Sequence, residues 1–537
     1  MIVDRPYWYR SAVFYEVMVR GFRDANGDGI GDLAGLIERL DHLQWLGVDC
    51  LWLMPIYGSP MRDNGYDISD FFTVHPDFGT IEEVGYLLDQ AHERGIRIIT
   101  DLVVNHTSDQ HPWFTESRSS RDNPKADWYV WNDDDERWPE ARIIFVDTEP
   151  SNWTWDESRG QHYWHRFFAH QPDLNYDCPE VTDAMFEVMS HWLALGLDGF
   201  RLDAVPYLYE RDGTNGENLF ETHQWLKALR ARIDDYFPGR VLLAEANQPP
   251  HEVVDYFGEG DECHMAFHFP LMPRMFKAMR DHQAATIADA LADTPAIPEG
   301  CQWGIFLRNH DELTLEMVTD DERDFMYRHY APEAGMRRNV GIGRRLFPLL
   351  DDDRRQVELM HSLLLSLPGS PILYYGDEIG MGERMELGDR DPVRTPMQWD
   401  ASANGGFSSA DADQLYLPMI EDGAYGFRMR NVAAQRQDES SFLCWLRNLV
   451  VLRRSMPFGQ GTFEVTDTGH ESIFGYVRDD GSSRILCMVN LAEEASTTAF
   501  ANDAQGSLEL VAGSSGVVVA DDVELGPYGW VWSRVTG

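Results

Sequence analysis

The stretch Gly199-Phe-Arg-Leu-Asp203 decides how the chain is read. Side chains alternate along a strand, so Arg201 and Asp203 share one side of it while Phe200 and Leu202 share the other. Two more apolar runs lead into an acid: Val241-Leu-Leu-Ala-Glu245, and Gly304–Asn309 followed by His310 and Asp311. Outward from these, short aliphatic and β-branched runs recur at Val13–Val17, Val48–Met54, Ile96–Val103, Cys263–Phe267 and Pro371–Tyr375, separated by stretches with helical periodicity. Ile81–Arg94 is one such stretch, and Gly95 stops it. Parallel strands with crossover helices predict an α/β fold, a (β/α)8 (TIM) barrel, formed by residues 1–104 and 179–450.

Two long segments break this rhythm. Residues 105–178 are rich in Trp, Asp, Asn and Pro with little helical periodicity, which predicts an inserted domain after the third strand. Glu312–Leu350 follows the seventh strand and holds the charge-dense helical stretch Asp320–Arg328. It is placed to serve as a lid, or else is a surface insertion without a catalytic part. Past Val451, short strands and turns alternate, as in Ser472–Arg478, Asp480-Gly481 and Arg484–Leu491, predicting a C-terminal antiparallel β domain over 451–537 that packs on the barrel.

The chain has 537 residues, enough for a large barrel with additions, and a formal net charge of −45. That charge argues against nucleic acid and anionic membrane surfaces as partners, because both recruit positive charge. Six cysteines lie scattered without CxxC spacing, so unpaired thiols are expected. The opening Met-Ile-Val-Asp-Arg-Pro-Tyr-Trp-Tyr-Arg carries no long apolar core, and no run of about 18 apolar residues follows anywhere. A cytoplasmic location is the expectation.

In a barrel the C-terminal ends of the strands converge on one face, so Asp203, Glu245 and Asp311 can meet in one pocket. Singly, each acid reads equally well as a helix cap or turn residue. Together they suit glycoside chemistry, in which one carboxylate attacks the anomeric carbon and a protonated one serves the leaving oxygen. Arg201 is placed to keep Asp203 ionised, and the apolar run before Glu245 predicts a raised pKa there. A separate loop, Asp24-Ala-Asn26-Gly-Asp28-Gly-Ile30-Gly-Asp32, sets oxygen donors at alternate positions with glycines between them, suiting Ca²⁺ or Mg²⁺. It lacks the closing Glu of an EF-hand, and an ion-free acidic turn is the other reading.

The segments Asp101-Leu-Val-Val-Asn-His106, Gly199-Phe-Arg-Leu-Asp203, Glu245 and Arg308-Asn-His-Asp311 resemble the four ordered motifs of the α-amylase superfamily, and the resemblance runs through nearly the whole chain. It implies Asp203 as nucleophile, Glu245 as general acid/base and Asp311 as transition-state stabiliser. It further implies that Asp63, Tyr66, His106, Gln171, Arg201, His310 and Arg390 hold the glucosyl ring, with Tyr66 and His106 readable otherwise as packed or turn residues. A second calcium is implied at Asn105, Asp173, Glu210 and the carbonyls of Tyr207 and Leu208, and no organic cofactor.

Within the superfamily, Ala141–Glu149, Gly260–Pro270, Asn309–Thr319 and Gly388–Trp399 are similar to the intramolecular maltose glucosyltransferases. The resemblance implies a small-molecule disaccharide substrate and interconversion of maltose and trehalose with minor hydrolysis to glucose. An α-glucosidase or sucrose-active hydrolase would share all three acids, and a non-catalytic carbohydrate-binding scaffold would have no need of them. A homo-oligomer and a sugar-kinase partner in a glycogen pathway are further expectations that these residues do not themselves specify.

Overall fold

Eight strands close into a parallel barrel in a computed structural model that describes residues 6–499, 507–520 and 522–536. They are β1 Phe14–Val17, β2 Cys50–Leu53, β3 Arg97–Val103, β4 Gly199–Asp203, β5 Val241–Ala244, β6 Met265–Phe267, β7 Gln302–Phe306 and β8 Ser370–Tyr374. Each pairs with its sequence neighbours, and β8 closes onto β1 through Phe14 opposite Ile372. Nearly every barrel residue is buried, as expected of strands with side-chain layers inside and helices outside. Gly199 starts β4 at φ 151°, where a Cβ would lie 2.0 Å from the Val241 carbonyl oxygen, so only glycine lets β4 and β5 approach there.

All eight strands anticipated from sequence are present, most with ends displaced by one or two residues. The seventh differs most: the run expected over Gly304–Asn309 is strand only over Gln302–Phe306. Arg308 takes the chain out of the sheet by donating from Nε to the Arg344 carbonyl at 2.7 Å and from Nη2 to the Asp311 carbonyl at 2.6 Å. The helix expected at Ile81–Arg94 runs over Ile81–Glu93, opened by a capping box between Thr80 and Glu83.

Between β3 and β4 the chain makes a three-stranded antiparallel sheet from Trp131–Asn132, Trp153–Asp156 and Gln161–Trp164. Trp138, Trp153 and Trp164 pack together behind it, the first two stacked at 5.5 Å. Between β7 and β8, helix Asp320–Tyr330 accompanies a small antiparallel sheet of Leu313–Thr314, Arg337–Arg338 and Gly341–Ile342 that sequence reading did not anticipate. The C-terminal part carries a five-stranded and a three-stranded antiparallel sheet, and the expected hairpin pairs Ile473–Asp479 with Arg484–Asn490. Of the expected domain spans, residues 1–5, 500–506, 521 and 537 lie outside the described residues.

Two buried arginines join this part to the barrel. Arg478 donates to the carbonyls of Ser366 at 2.6 Å and Phe458 at 2.7 Å, and Arg453 to that of Leu365 at 2.5 Å. Helix Arg354–Ser366 ends there, where unpaired carbonyls and the helix dipole both favour cations. The six cysteines are all free thiols. Among the described residues, no helix is long and apolar enough to cross a membrane.

Candidate active site

Asp203 is the last residue of β4, and Glu245 directly follows β5, its N–H donating to the Leu202 carbonyl at 3.1 Å. Asp311 arrives from the loop beyond β7. All three line one pocket of about 940 Å³, counted out to its open mouth, at the C-terminal face of the barrel.

Arg201 ties the first two acids together. Its Nη1 donates to Asp203 Oδ1 at 2.5 Å and to Asp101 Oδ1 at 2.6 Å, and its Nη2 pairs with Glu245 Oε1. Asp101 stands opposite Arg201 in the β3–β4 register and also accepts from Trp52 Nε1 at 2.8 Å. Sequence reading quoted Asp101 in a motif without giving it a role. Burial pushes Asp203 up to about 6 against the pull of Arg201, so the arginine limits the rise and does not hold the acid in the ordinary range. Burial likewise pushes Glu245 up to about 7, as its apolar approach predicts.

Asp311 differs, since cations hold it well below the usual carboxylate range in spite of burial. His310 Nε2 lies 3.0 Å from its Oδ2, while Arg390 Nη1 at 3.0 Å and Arg394 Nη2 at 2.9 Å meet its Oδ1. Arg394 went unnoticed in the sequence, although it sits four residues past Arg390 and is fully buried. Arg390 also pairs with Asp63 at 2.6 Å, and Gln171 donates to the other oxygen of Asp63 at 2.8 Å.

Asp63, Tyr66, His106, His310 and Arg390 line the pocket as anticipated. Gln171 and Arg201 do not: they are buried behind its wall and act through Asp63 and the two acids. Tyr66 stacks on His310 at 5.4 Å, and burial lowers His106 to about 3, leaving it neutral. Phe145 and Phe167 of the segment between β3 and β4 add an apolar wall that sequence reading missed.

The segment after Asp311 reaches over the pocket, with Glu312, Thr314, Glu316 and Asn339 in its lining. Glu316 binds Arg142 at 2.8 Å and accepts from Asn247 Nδ2 at 2.5 Å, two residues past Glu245. The Asn339 N–H donates to Asp147 at 2.7 Å.

Two sets of oxygen donors were anticipated as cation sites. Asn105 Oδ1 and Asp173 Oδ2 are buried without a hydrogen-bond partner, and burial with the nearby Glu210 drives the Asp173 pKa well upward. Glu210 itself is raised to about 8, chiefly by burial. A buried carboxamide and two strained carboxylates fit a hard cation. Among the described residues no three His, Cys, Asp or Glu side chains converge as a metal cluster, so backbone carbonyls such as those of Tyr207 and Leu208 would have to complete the set. The Asp24–Asp32 loop is satisfied by its own amides: Asp24 accepts from Gly27 and Gly29 at 2.6 and 2.8 Å, Asp28 from Ile30 at 2.9 Å, and Asp32 from Ala25 and Asn26 at 3.1 Å. It keeps the donor set but shows no orphaned oxygen among its buried atoms.

A parallel barrel with three acids gathered at the ends of its strands, one low in pKa and two raised, is the arrangement of an enzyme that works on glycosidic bonds. Residues 16–334 and 343–459 match the family described as Alpha amylase, catalytic domain, and residues 463–532 match Maltogenic Amylase, C-terminal domain. The chain belongs to the α-amylase family. It is 61% identical over 499 residues to the trehalose synthase/amylase of Mycolicibacterium smegmatis, covering 90% of this chain and 84% of that one. It is 50% identical over 490 residues to the trehalose synthase of Thermus thermophilus, covering 91% of this chain and 51% of the relative. Among solved structures, the trehalulose synthase of Pseudomonas mesoacidophila MX-45 superposes with a TM-score of 0.83 at 28% identity, over 99% of this chain and all of that one.

Proposed function

We propose that this chain interconverts maltose and trehalose by a retaining double displacement within one pocket, with minor release of glucose. Asp203, ionised above about 6, attacks the anomeric carbon of the nonreducing glucosyl unit. Glu245, protonated below about 7, gives its proton to the departing oxygen. The freed glucose turns in the pocket, its anomeric hydroxyl attacks the glucosyl–enzyme, and Glu245 takes the proton back. Asp311, kept anionic by His310, Arg390 and Arg394, stabilises positive charge developing on the ring.

The retained glucose must be shielded from water for isomerisation to outrun hydrolysis. Residues 312–350 supply that cover in our reading, because Glu312, Thr314, Glu316 and Asn339 line the pocket and Glu316 pairs with Arg142 of the segment between β3 and β4. The observation that carries the isomerase reading over an α-glucosidase or sucrose-active hydrolase is the 61% identity to a relative named trehalose synthase/amylase. A non-catalytic scaffold would leave the matched pKa values of Asp203 and Glu245 without a purpose.

Calcium bound at Asn105, Asp173, Glu210 and the Tyr207 and Leu208 carbonyls would neutralise two buried carboxylates and tie the segment between β3 and β4 to the barrel. The Asp24–Asp32 loop, with Asn26, Asp28 and the Ile30 carbonyl, is a second proposed site for Ca²⁺ or Mg²⁺. A cytoplasmic location, a homo-oligomer and a sugar-kinase partner remain proposals of the same reading.

Incubation with maltose alone, resolving trehalose, glucose and maltose over time, tests the function. Trehalose is the expected main early product, and glucose alone would move the assignment to an α-glucosidase.

A further inference from the structure

We propose that Glu16 is a positioning residue that holds the His310 ring doubly protonated, so that a cation, and not a neutral imidazole, braces Asp311 in the pocket. Glu16 is the third residue of β1, wholly buried and far in sequence from any acid at the pocket. Its Oε1 accepts from His310 Nδ1 and lies 3.4 Å from the His310 backbone N–H. On the other side of the ring, Nε2 stands 3.0 Å from Asp311 Oδ2 and 2.9 Å from the Tyr66 hydroxyl.

Proton counting carries the argument. A carboxylate brings no hydrogen, so each ring nitrogen that faces one must bring its own, and a neutral imidazole has only one N–H. With Glu16 at Nδ1 and Asp311 at Nε2, a neutral ring would turn a lone pair toward one of the two carboxylates inside a buried, low-dielectric site. Tyr66 could donate to Nε2 in that case, but Asp311 would still face the same lone pair.

The surroundings do not supply another proton donor to Nδ1. Trp52 on β2 meets the ring edge at 5.8 Å, and Tyr66 covers its face. Asp101 on β3 adds negative charge nearby and shares Arg201 with Asp203 of β4, and Arg394 donates to the His310 carbonyl at 2.9 Å and not to the ring. Glu16 is itself faced by Tyr374 at the end of β8 and Asp377 just beyond it. Its second oxygen has no hydrogen-bond partner, so the carboxylate is aimed at His310 alone. The two acids raise His310 to about 9 against burial, in keeping with the geometry.

The inference rests on the pocket being the catalytic site but not on which product it makes. Nitrogen NMR of the His310 ring in the full chain, assigned by the signals lost in H310Q, reads the protonation directly and without sugar. Two protonated ring nitrogens at pH 7 are expected, whereas a neutral tautomer overturns the proposal. In E16Q the carboxamide keeps its size but loses the charge, and the ring titration should fall by about one unit or more. With His310 then titrating nearer to Glu245, the kcat/KM profile on maltose should gain a second deprotonation that steepens its alkaline limb, and kcat should drop about tenfold, the scale of one charged hydrogen bond. A ring titration and alkaline limb unchanged in E16Q also overturn it. If E16Q fails to fold, the ring signals of the unmodified chain still decide.

Discussion

Arg142 and Glu316, which belong to the two segments interrupting the barrel, form a 2.8 Å ion pair beside the pocket that Glu316 lines. Glu217 also binds Arg142 at 2.8 Å, and Asn247 links Glu316 back to the loop that carries Glu245. E316A should loosen the cover and let water compete for the glucosyl–enzyme. A partly exposed contact worth about 1 kcal/mol corresponds to roughly a fivefold rise in the glucose-to-trehalose ratio. Product analysis at early times checks it, and an unchanged ratio would remove the cover from the mechanism.

D203A should abolish turnover of maltose, with a loss of at least about 10⁴-fold in kcat, the scale seen when a covalent nucleophile is deleted. The fold should persist, since Arg201 keeps Asp101 and Glu245 as partners. Steady-state kinetics beside a thermal melt separate lost chemistry from lost structure.

The pH profile follows from the two raised carboxyls. Asp203 must be ionised, so activity falls as pH drops through about 6. Glu245 must be protonated for the first step, so activity falls as pH rises through about 7. A narrow bell with its maximum between these values is expected for kcat/KM on maltose. E245Q should remove the alkaline limb along with most of the activity, whereas a broad plateau to pH 9 in the unmodified enzyme would refute this assignment of the limbs.

Calcium should raise the melting temperature and a chelator should lower it, because an ion that binds only the folded chain stabilises it by about 2.7 kcal/mol at a hundredfold excess over Kd. D173N should abolish most of that calcium dependence, since it removes one of the two buried carboxylates. A D173N melt that still responds fully to calcium would place the ion elsewhere, with the Asp24–Asp32 loop the next site to examine.

R478L should cost several kcal/mol, because it leaves the carbonyls of Ser366 and Phe458 buried without the guanidinium donor, at about 1–3 kcal/mol each. Urea unfolding followed by tryptophan fluorescence would report it, and a loss under about 1 kcal/mol would mean that water takes the place of the guanidinium.

The eight barrel strands were legible because each is a mostly apolar run bounded by polar turns, and the three acids because each comes at or beyond the end of such a run. Asp101 and Glu16 were harder to read. An acid inside a strand looks like a break in the pattern until its partner, Arg201 or His310, is seen across the barrel. The end of β7 was misjudged for a related reason: Leu307 extends the apolar pattern, but Arg308 spends its donors on Arg344 and Asp311 and pulls the chain away. The sheet after Asp311 escaped notice because each strand has only two residues, too short for alternation to show. Gln171, expected to help hold the glucosyl ring, is instead bonded to Asp63 a layer behind the pocket wall, a distinction of depth that linear spacing does not encode.

The proposed cover is anchored at both ends to neighbouring staves of a closed cylinder, β7 and β8, while the chain between them makes its own small sheet and helix. Asp203 and Glu245 hang from other staves, so most of the cover's length can be edited while the Asn247–Glu316 hydrogen bond to the loop of Glu245 is kept. On the proposed role of that segment, bond cleavage and the fate of the cleaved sugar become separately inheritable traits, open to independent tuning by selection or by a protein engineer.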